Sequence, residues 1–309
     1  MSKMISNIVF TMNRPLQLEA YLDSLYRHLP PEHIQTYILY KVALFDEQYS
    51  ELFARFPQCV VIREQDFHAD FMNLINGLDS KYVLFGTDDV VYYDSVDWAV
   101  IDQAFADFPE QIFGFSLRLS PESLQPSDPC MTQLKCANQT IYRINWQQTH
   151  NRNARYPFEL NSTVYSTPLV QRILKAVGRE HPTLQRLFRP ESMLVKVVGS
   201  VFHLKDFLVS IETFRNPNTL EGYCYRWCKT HKRQFPKYLF FQKLCASAIQ
   251  INRVNTAIDN PVDGSDQHTV ETLNEEYRKG YRFDIEAIER NKPEGTHVGR
   301  EYFRLAKRT

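Results

Sequence analysis

Glycine is scarce in this chain, 10 residues in 309, and none precedes Gly77. A glycine-rich, basic phosphate loop near the start is thereby excluded. Long apolar runs are also missing, and none approaches the ~20 residues that cross a bilayer. Neither sign of charge dominates: Lys plus Arg and Asp plus Glu both number 36. That balance argues against a general nucleic-acid binder. Six cysteines (Cys59, Cys130, Cys136, Cys224, Cys228, Cys245) are too few and too scattered for a disulfide framework. Cys224 and Cys228 stand four apart, a helical spacing rather than a zinc knuckle. Free thiols in a reducing, cytosolic compartment are expected. No secretory signal is visible, because "MSKMISNIVF" already reads as a first strand.

What is present suffices for a folded core, with 43% hydrophobic and 13% aromatic residues. Short apolar strands alternate with amphipathic helices. Ile5 to Thr11 reads as a strand, and Leu18, Leu22, Leu25 and Leu29 recur on one face of a helix that Pro15 opens. "TYILYKVALF", "CVVIRE", "KYVLFGT" and "IFGFSLRLS" continue as strands, and "DEQYSELFARF", "ADFMNLINGL" and "SVDWAVIDQAFADF" as helices. This alternation predicts an α/β fold with a mostly parallel sheet covered on both faces. Residues 120–138 read as a polar loop. "NQTIYRINW" and "STVYS" read as later strands, and "PLVQRILKAVG" as a helix stopped by Gly178. Residues 206–309 are expected to form a helix-rich continuation beside the second substrate.

In such sheets ligands sit beyond the carboxyl ends of the strands. Asp88 and Asp89 follow the fourth strand there. Carboxylates suit Mg²⁺ or Mn²⁺, which share their remaining positions with substrate phosphates. The competing role for the pair is a turn that caps the next segment. Arg14, ending the first strand, is placed to fork onto a phosphate, with Thr11 or Asn13 bonding a base or ribose. A solvated helix-start arginine is the plainer alternative. Lys and Arg alternate with Trp227, Phe235, Tyr238, Phe240 and Phe241 over 226–243. That pattern fits peripheral contact with an anionic membrane, or else core aromatics with solvated cations.

"IVFTMNRPLQLEAYLDSL" and "YVLFGTDDVVY" resemble the opening strand and helix and the DxD region of GT-A-fold glycosyltransferases, in particular the bacterial inverting enzymes of family-2 type. The likeness is good over about residues 5–120 and patchy beyond. It implies a GT-A (Rossmann-like) nucleotide-sugar-binding domain over 1–205 and an acceptor-side extension over 206–309. It implies a nucleotide-diphosphate-sugar donor, a glycan or lipid-linked acceptor of a surface polysaccharide, and a cytoplasmic enzyme at the inner face of the membrane. Thr87 replaces the motif's first acid, so the resemblance makes Asp89 the metal ligand, with Asp88 in support. Thr11, Arg14 and Glu64 would form the nucleotide edge, and Asn161 would line the donor-sugar pocket. His297 would be an additional ligand of Mn²⁺ or Mg²⁺. Glu221 would be the catalytic base, near the start of a helix capped by Asn218 or Thr219. Glu212, Asp206, Glu191 and Glu159 are rival bases. The alternatives are a sugar nucleotidyltransferase, and a non-catalytic sugar-binding relative of the same fold.

Overall fold

The computed structural model describes residues 3–109, 112–124, 128–177, 214–231, 234–252 and 268–308. Its first half alternates β1 (Ile5–Met12), α1 (Pro15–His28), β2 (Ile34–Lys41), α2 (Asp46–Arg55), β3 (Val60–Arg63), α3 (Phe67–Asn76) and β4 (Tyr82–Thr87). Then come β5 (Val90–Tyr92), α4 (Trp98–Asp107), β6 (Ile112–Ser116), β7 (Met131–Cys136), β8 (Gln139–Asn145), β9 (Thr163–Ser166) and α5 (Thr167–Val177). The C-terminal part carries α6 (Pro217–Thr230), β10 (Lys237–Phe241), β11 (Ala246–Ile249), α7 (Val270–Arg278) and β12 (Tyr281–Phe283). It closes with α8 (Ile285–Arg290), β13 (His297–Val298) and β14 (Leu305–Lys307).

Local chemistry explains the boundaries. Pro15 sits in the first turn of α1, where its missing N–H costs nothing. The Asp66 carboxylate caps α3 by accepting from the Ala69 N–H, and Asp97 caps α4 the same way. Gly86 in β4 lets the Tyr21 ring lie against the strand, where a Cβ would collide with it.

Nine strands form one sheet in the order β3-β2-β1-β4-β9-β6-β10-β8-β7. The pairings make β3, β2, β1, β4, β6, β10 and β7 point one way, while β9 and β8 run against them. The sheet is therefore mixed and mostly parallel, as expected from the sequence. Leu22 of α1, Leu52 of α2 and Ile101 of α4 belong to the core on one face. Phe71 of α3, Ile173 of α5 and Leu220 and Cys224 of α6 belong to the other. A third cluster seats α7 and α8 on α1 through Leu16, Ala20, Leu273 and Ile288.

Several expectations need correction. The segment expected as polar loop at 120–138 contains β7, which pairs with β8 as the outer strand. Tyr238, Phe240 and Phe241, the aromatics offered to a membrane, are core residues of β10 and its sheet neighbours. Trp227 and Phe235 pack against the same core. Gly178 and the boundary at 205 lie outside the described residues, as do Glu191, Asp206 and Glu212. All six cysteines are free thiols. No helix among the described residues is long and apolar enough to cross a membrane.

Candidate active site

The chain winds outward from β1 to β2 and β3, then crosses back to place β4 on the other side of β1. This reversal makes the carboxyl ends of β1 and β4 a topological switch point, the place where open α/β sheets bind ligands. Phe10 of β1 pairs with Thr87 of β4, and the Asp88 N–H donates to the Phe10 carbonyl at 3.2 Å. The register thus sets the end of the first strand beside the acidic pair.

Asp88 turns inward. Arg14 Nη1 donates to its Oδ1 at 2.9 Å, and Thr11 Oγ1 to its Oδ2 at 2.8 Å. Because the Thr11 proton goes to the carboxylate, the Tyr49 hydroxyl donates to Thr11 at 2.8 Å and accepts from the Arg14 N–H at 3.0 Å. Arg14 Nη2 is held by the Asn252 carbonyl at 2.6 Å. Burial works against the Arg14 charge, but Asp88 and Asp89 outweigh it and raise the pKa. Burial, joined by the neighbouring Asp89 charge, pushes the Asp88 carboxyl up, against the pull of Arg14. The two senses conflict, and the geometry decides for a charged pair, since both carboxylate oxygens accept from good donors. Asp88 and Arg14 therefore face each other rather than a metal or a phosphate.

Asp89 turns the other way and is only partly buried. Its Oδ1 accepts from the Thr87 hydroxyl at 2.6 Å, and its Oδ2 accepts nothing among the described residues. The Asn161 side chain meets the same Thr87 hydroxyl. A three-stranded sheet, β13-β11-β5, brings the C-terminal segment here. Val90 pairs with Ala248 and Ala248 with His297, while the Ile249 N–H donates to the Asp89 carbonyl at 2.8 Å. His297 and Asp89 are thereby neighbours in space despite their separation in sequence. The His297 ring is crowded by protein and by Arg118, which pull its pKa down to about 4 against Asp89. The residue as a whole remains exposed, so the contact with Arg118 is the firmer cause.

Arg118, just beyond β6, was not singled out from the sequence. Its side chain is buried and reaches four partners. Nε donates to the Asn161 carbonyl at 2.7 Å and Nη2 to Glu159. Nη1 lies 3.3 Å from both the Thr296 carbonyl and His297 Nε2. Glu159 also accepts from the Thr163 hydroxyl, so this rival base has both oxygens engaged. Phe158 and Ser162 flank the segment with φ of 61° and 59°, left-handed conformations that side chains adopt at a cost.

Glu221 lies on α6, whose cap is Asn216 with Thr219 in a reciprocal capping box, not Asn218 or Thr219. The helix begins at Pro217, which puts Glu221 beyond the first turn. Its Oε1 accepts from the Leu160 N–H at 3.1 Å. Burial pushes its pKa up to about 7, with Leu160 opposing and Glu159 adding to the rise. Leu160 adjoins Asn161, so Glu221 connects through the chain to Thr87 and Asp89.

The remaining expected residues separate. Asn13 adopts φ of 55° and accepts from the Ala43 and Leu44 N–H groups at 3.1 Å, tying the β1–α1 turn to the next loop. Glu64 stands at the end of β3 with Lys41 at 2.9 Å. Among the described residues no group of three or more His, Cys, Asp or Glu could hold a metal by itself. Asp89 and His297 supply one hard oxygen and one imidazole nitrogen. That set fits a Mg²⁺ or Mn²⁺ ion that takes one or two protein ligands and completes its shell with substrate phosphates and water.

No family model matches the chain. The bifunctional glycosyltransferase pgtA of Dictyostelium discoideum is 22% identical over 192 residues, covering 55% of this chain and 25% of that protein. This chain thus spans about a quarter of the length of that curated relative. Among solved structures, S. aureus TarS is similar with a TM-score of 0.37 and 13% identity over 56% of this chain and 29% of that one. The mannosyltransferase PcManGT from Pyrobaculum calidifontis, solved with GDP-Man and Mn²⁺, gives 0.33 and 12% over 59% and 48%. 4-Diphosphocytidyl-2C-methyl-D-erythritol synthase gives 0.32 and 13% over 57% and 80%. Likeness at these scores carries no argument about the reaction.

Proposed function

We propose that the protein is a glycosyltransferase that moves a sugar from a nucleotide-diphosphate sugar to a glycan or lipid-linked acceptor, with inversion at the anomeric carbon. The observation that carries this reading is Glu221, a carboxyl with a pKa of about 7 that accepts from the Leu160 N–H, next in the chain to Asn161, whose side chain meets the Thr87 hydroxyl that also bonds Asp89. A base poised near neutral pH is what removal of an acceptor hydroxyl proton requires. The partial sequence likeness to pgtA supports the same class.

In this mechanism Glu221, ionised above about pH 7, takes the acceptor proton as the nucleotide departs from the opposite face of the sugar. Asn161 borders the donor sugar. Glu64 serves the nucleotide edge, its carboxylate accepting from the exposed Lys41 and keeping acceptor capacity to spare. Asp89 and His297 would hold Mn²⁺ or Mg²⁺, which when bound supplies positive charge to the diphosphate leaving group.

The test is thermal shift with a panel of nucleotides, with and without Mn²⁺. The matching nucleotide at a hundredfold excess over Kd stabilises the native protein by ~2.7 kcal/mol. Asp89→Ala is expected to lose the Mn²⁺-dependent part of that gain. Undiminished Mn²⁺ dependence in the variant would show that the cation is held elsewhere.

A further inference from the structure

Arg118 has no role in the reading so far, yet it occupies the junction between the Glu221 side and the His297 side. A guanidinium carries five N–H donors and no acceptor. Nε and Nη2 are committed to Asn161 and Glu159. The two protons of Nη1 have two acceptors in reach at 3.3 Å, the Thr296 carbonyl and His297 Nε2. Since Arg118 can only donate, Nε2 must offer its lone pair, and the ring proton must sit on Nδ1. There it meets Thr296 Oγ1 at 3.2 Å.

We propose that Arg118 is a positioning residue that fixes His297 as the Nδ1–H tautomer, with an unprotonated Nε2 facing the guanidinium. This inference rests on the cation reading only for its consequence. An imidazole binds a metal through a bare nitrogen, and the hydrogen bond at the other nitrogen sets which one that is. Arg118 and Thr296 together perform that selection before any cation arrives. When a cation takes Nε2, Nη1 keeps the Thr296 carbonyl, so the buried guanidinium retains its other three partners. The ion pair with Glu159 anchors the guanidinium, and the strained turn at Phe158 and Ser162 presents Glu159 and the Asn161 carbonyl to it.

The experiment is ¹⁵N NMR of the histidine-labelled full chain without metal, with His297→Gln assigning the resonances. The expected spectrum shows His297 protonated on Nδ1 and bare at Nε2. A proton on Nε2 overturns the proposal. Arg118→Lys keeps a cation for Glu159 but loses the fork, and it is expected to mix the two tautomers. An unchanged His297 tautomer in a folded Arg118→Lys protein equally overturns the proposal. Should Arg118→Lys fail to fold, the wild-type spectrum alone decides. Mn²⁺ titrated into the wild type separates the two readings. If the tautomer is as expected but Mn²⁺ leaves the His297 signals sharp, the cation reading fails and the Arg118 assignment stands.

Discussion

The two sides of the β4 end treat neighbouring carboxylates in opposite ways. On the β1 side, Asp88 fills both its oxygens with Arg14 and Thr11, and Tyr49 closes the chain of donors. On the β9 side, Asp89 and Glu221 each keep one oxygen with no protein donor among the described residues. Two like charges are therefore tolerable in adjacent positions because one is neutralised by protein and the other is only partly buried, with one oxygen free of protein donors among the described residues. An acidic pair read as a unit is one closed carboxylate and one open one.

The largest expected effect tests the open side. Glu221→Gln keeps the size of the side chain and should lower kcat by ~10²–10⁴-fold with donor affinity unchanged. In the wild type the rate should fall as pH drops through about 7. The stability sign is separate. The folded carboxyl, raised from 4.5 to about 7, binds its proton more tightly than the unfolded one. Stability from this group is thus greatest below about 4.5 and declines as pH rises to about 7. Glutamine removes the decline, so its melting temperature should gain on the wild type between about pH 5 and about pH 8. A wild-type kcat with the true acceptor would dissolve the distinction between the two sides.

Next in size is the closed side. Asp88→Asn strips the buried Arg14 of its counter-charge and should cost ~3–5 kcal/mol in denaturant unfolding. Mn²⁺-dependent nucleotide binding by the folded variant should persist. Loss of that dependence without loss of stability would return Asp88 to the metal.

The smallest effect sharpens the contrast. Tyr49→Phe leaves the buried Arg14 N–H without its acceptor and should cost ~1–3 kcal/mol. Its kcat should stay at the wild-type value. A large fall in rate at unchanged stability would mean that the closed side reaches the chemistry.

The elements from β1 to β4, apart from the largely exposed β3, were legible because they bury a face with its own period, and β3 showed through its β-branched run Val60-Val61-Ile62. Leu18, Leu22 and Leu25 mark a helix, and the run from Tyr82 to Phe85 marks a strand buried on both faces. β7 was not, because an outer strand reading Met131-Thr132-Gln133-Leu134-Lys135-Cys136 has mostly solvated side chains and looks like a loop. β10 is a run of aromatics whose partners, β6 and β8, lie far back in the chain, so nothing local separates core from surface. Asp89 was found by position at a strand end, and His297 was brought to it only by pairing through β11. Arg118 carried one usable signal, a cation directly after the buried Phe115-Ser116-Leu117 at the ligand edge. Its four partners come from distant segments, and no spacing rule connects them.

The placement of β10 between β6 and β8 also sets an order of events during synthesis. At ~5–20 residues per second, a ribosome finishes β8 several seconds before it reaches Phe241. Until then β6 and the β8–β7 hairpin cannot join through their missing neighbour, and each leaves a row of backbone donors and acceptors open. Such rows are templates for pairing with another chain. The nascent protein thus passes through a stage at which its own later segment competes with neighbours for the same slot, and slowing translation after β9 should favour the neighbours.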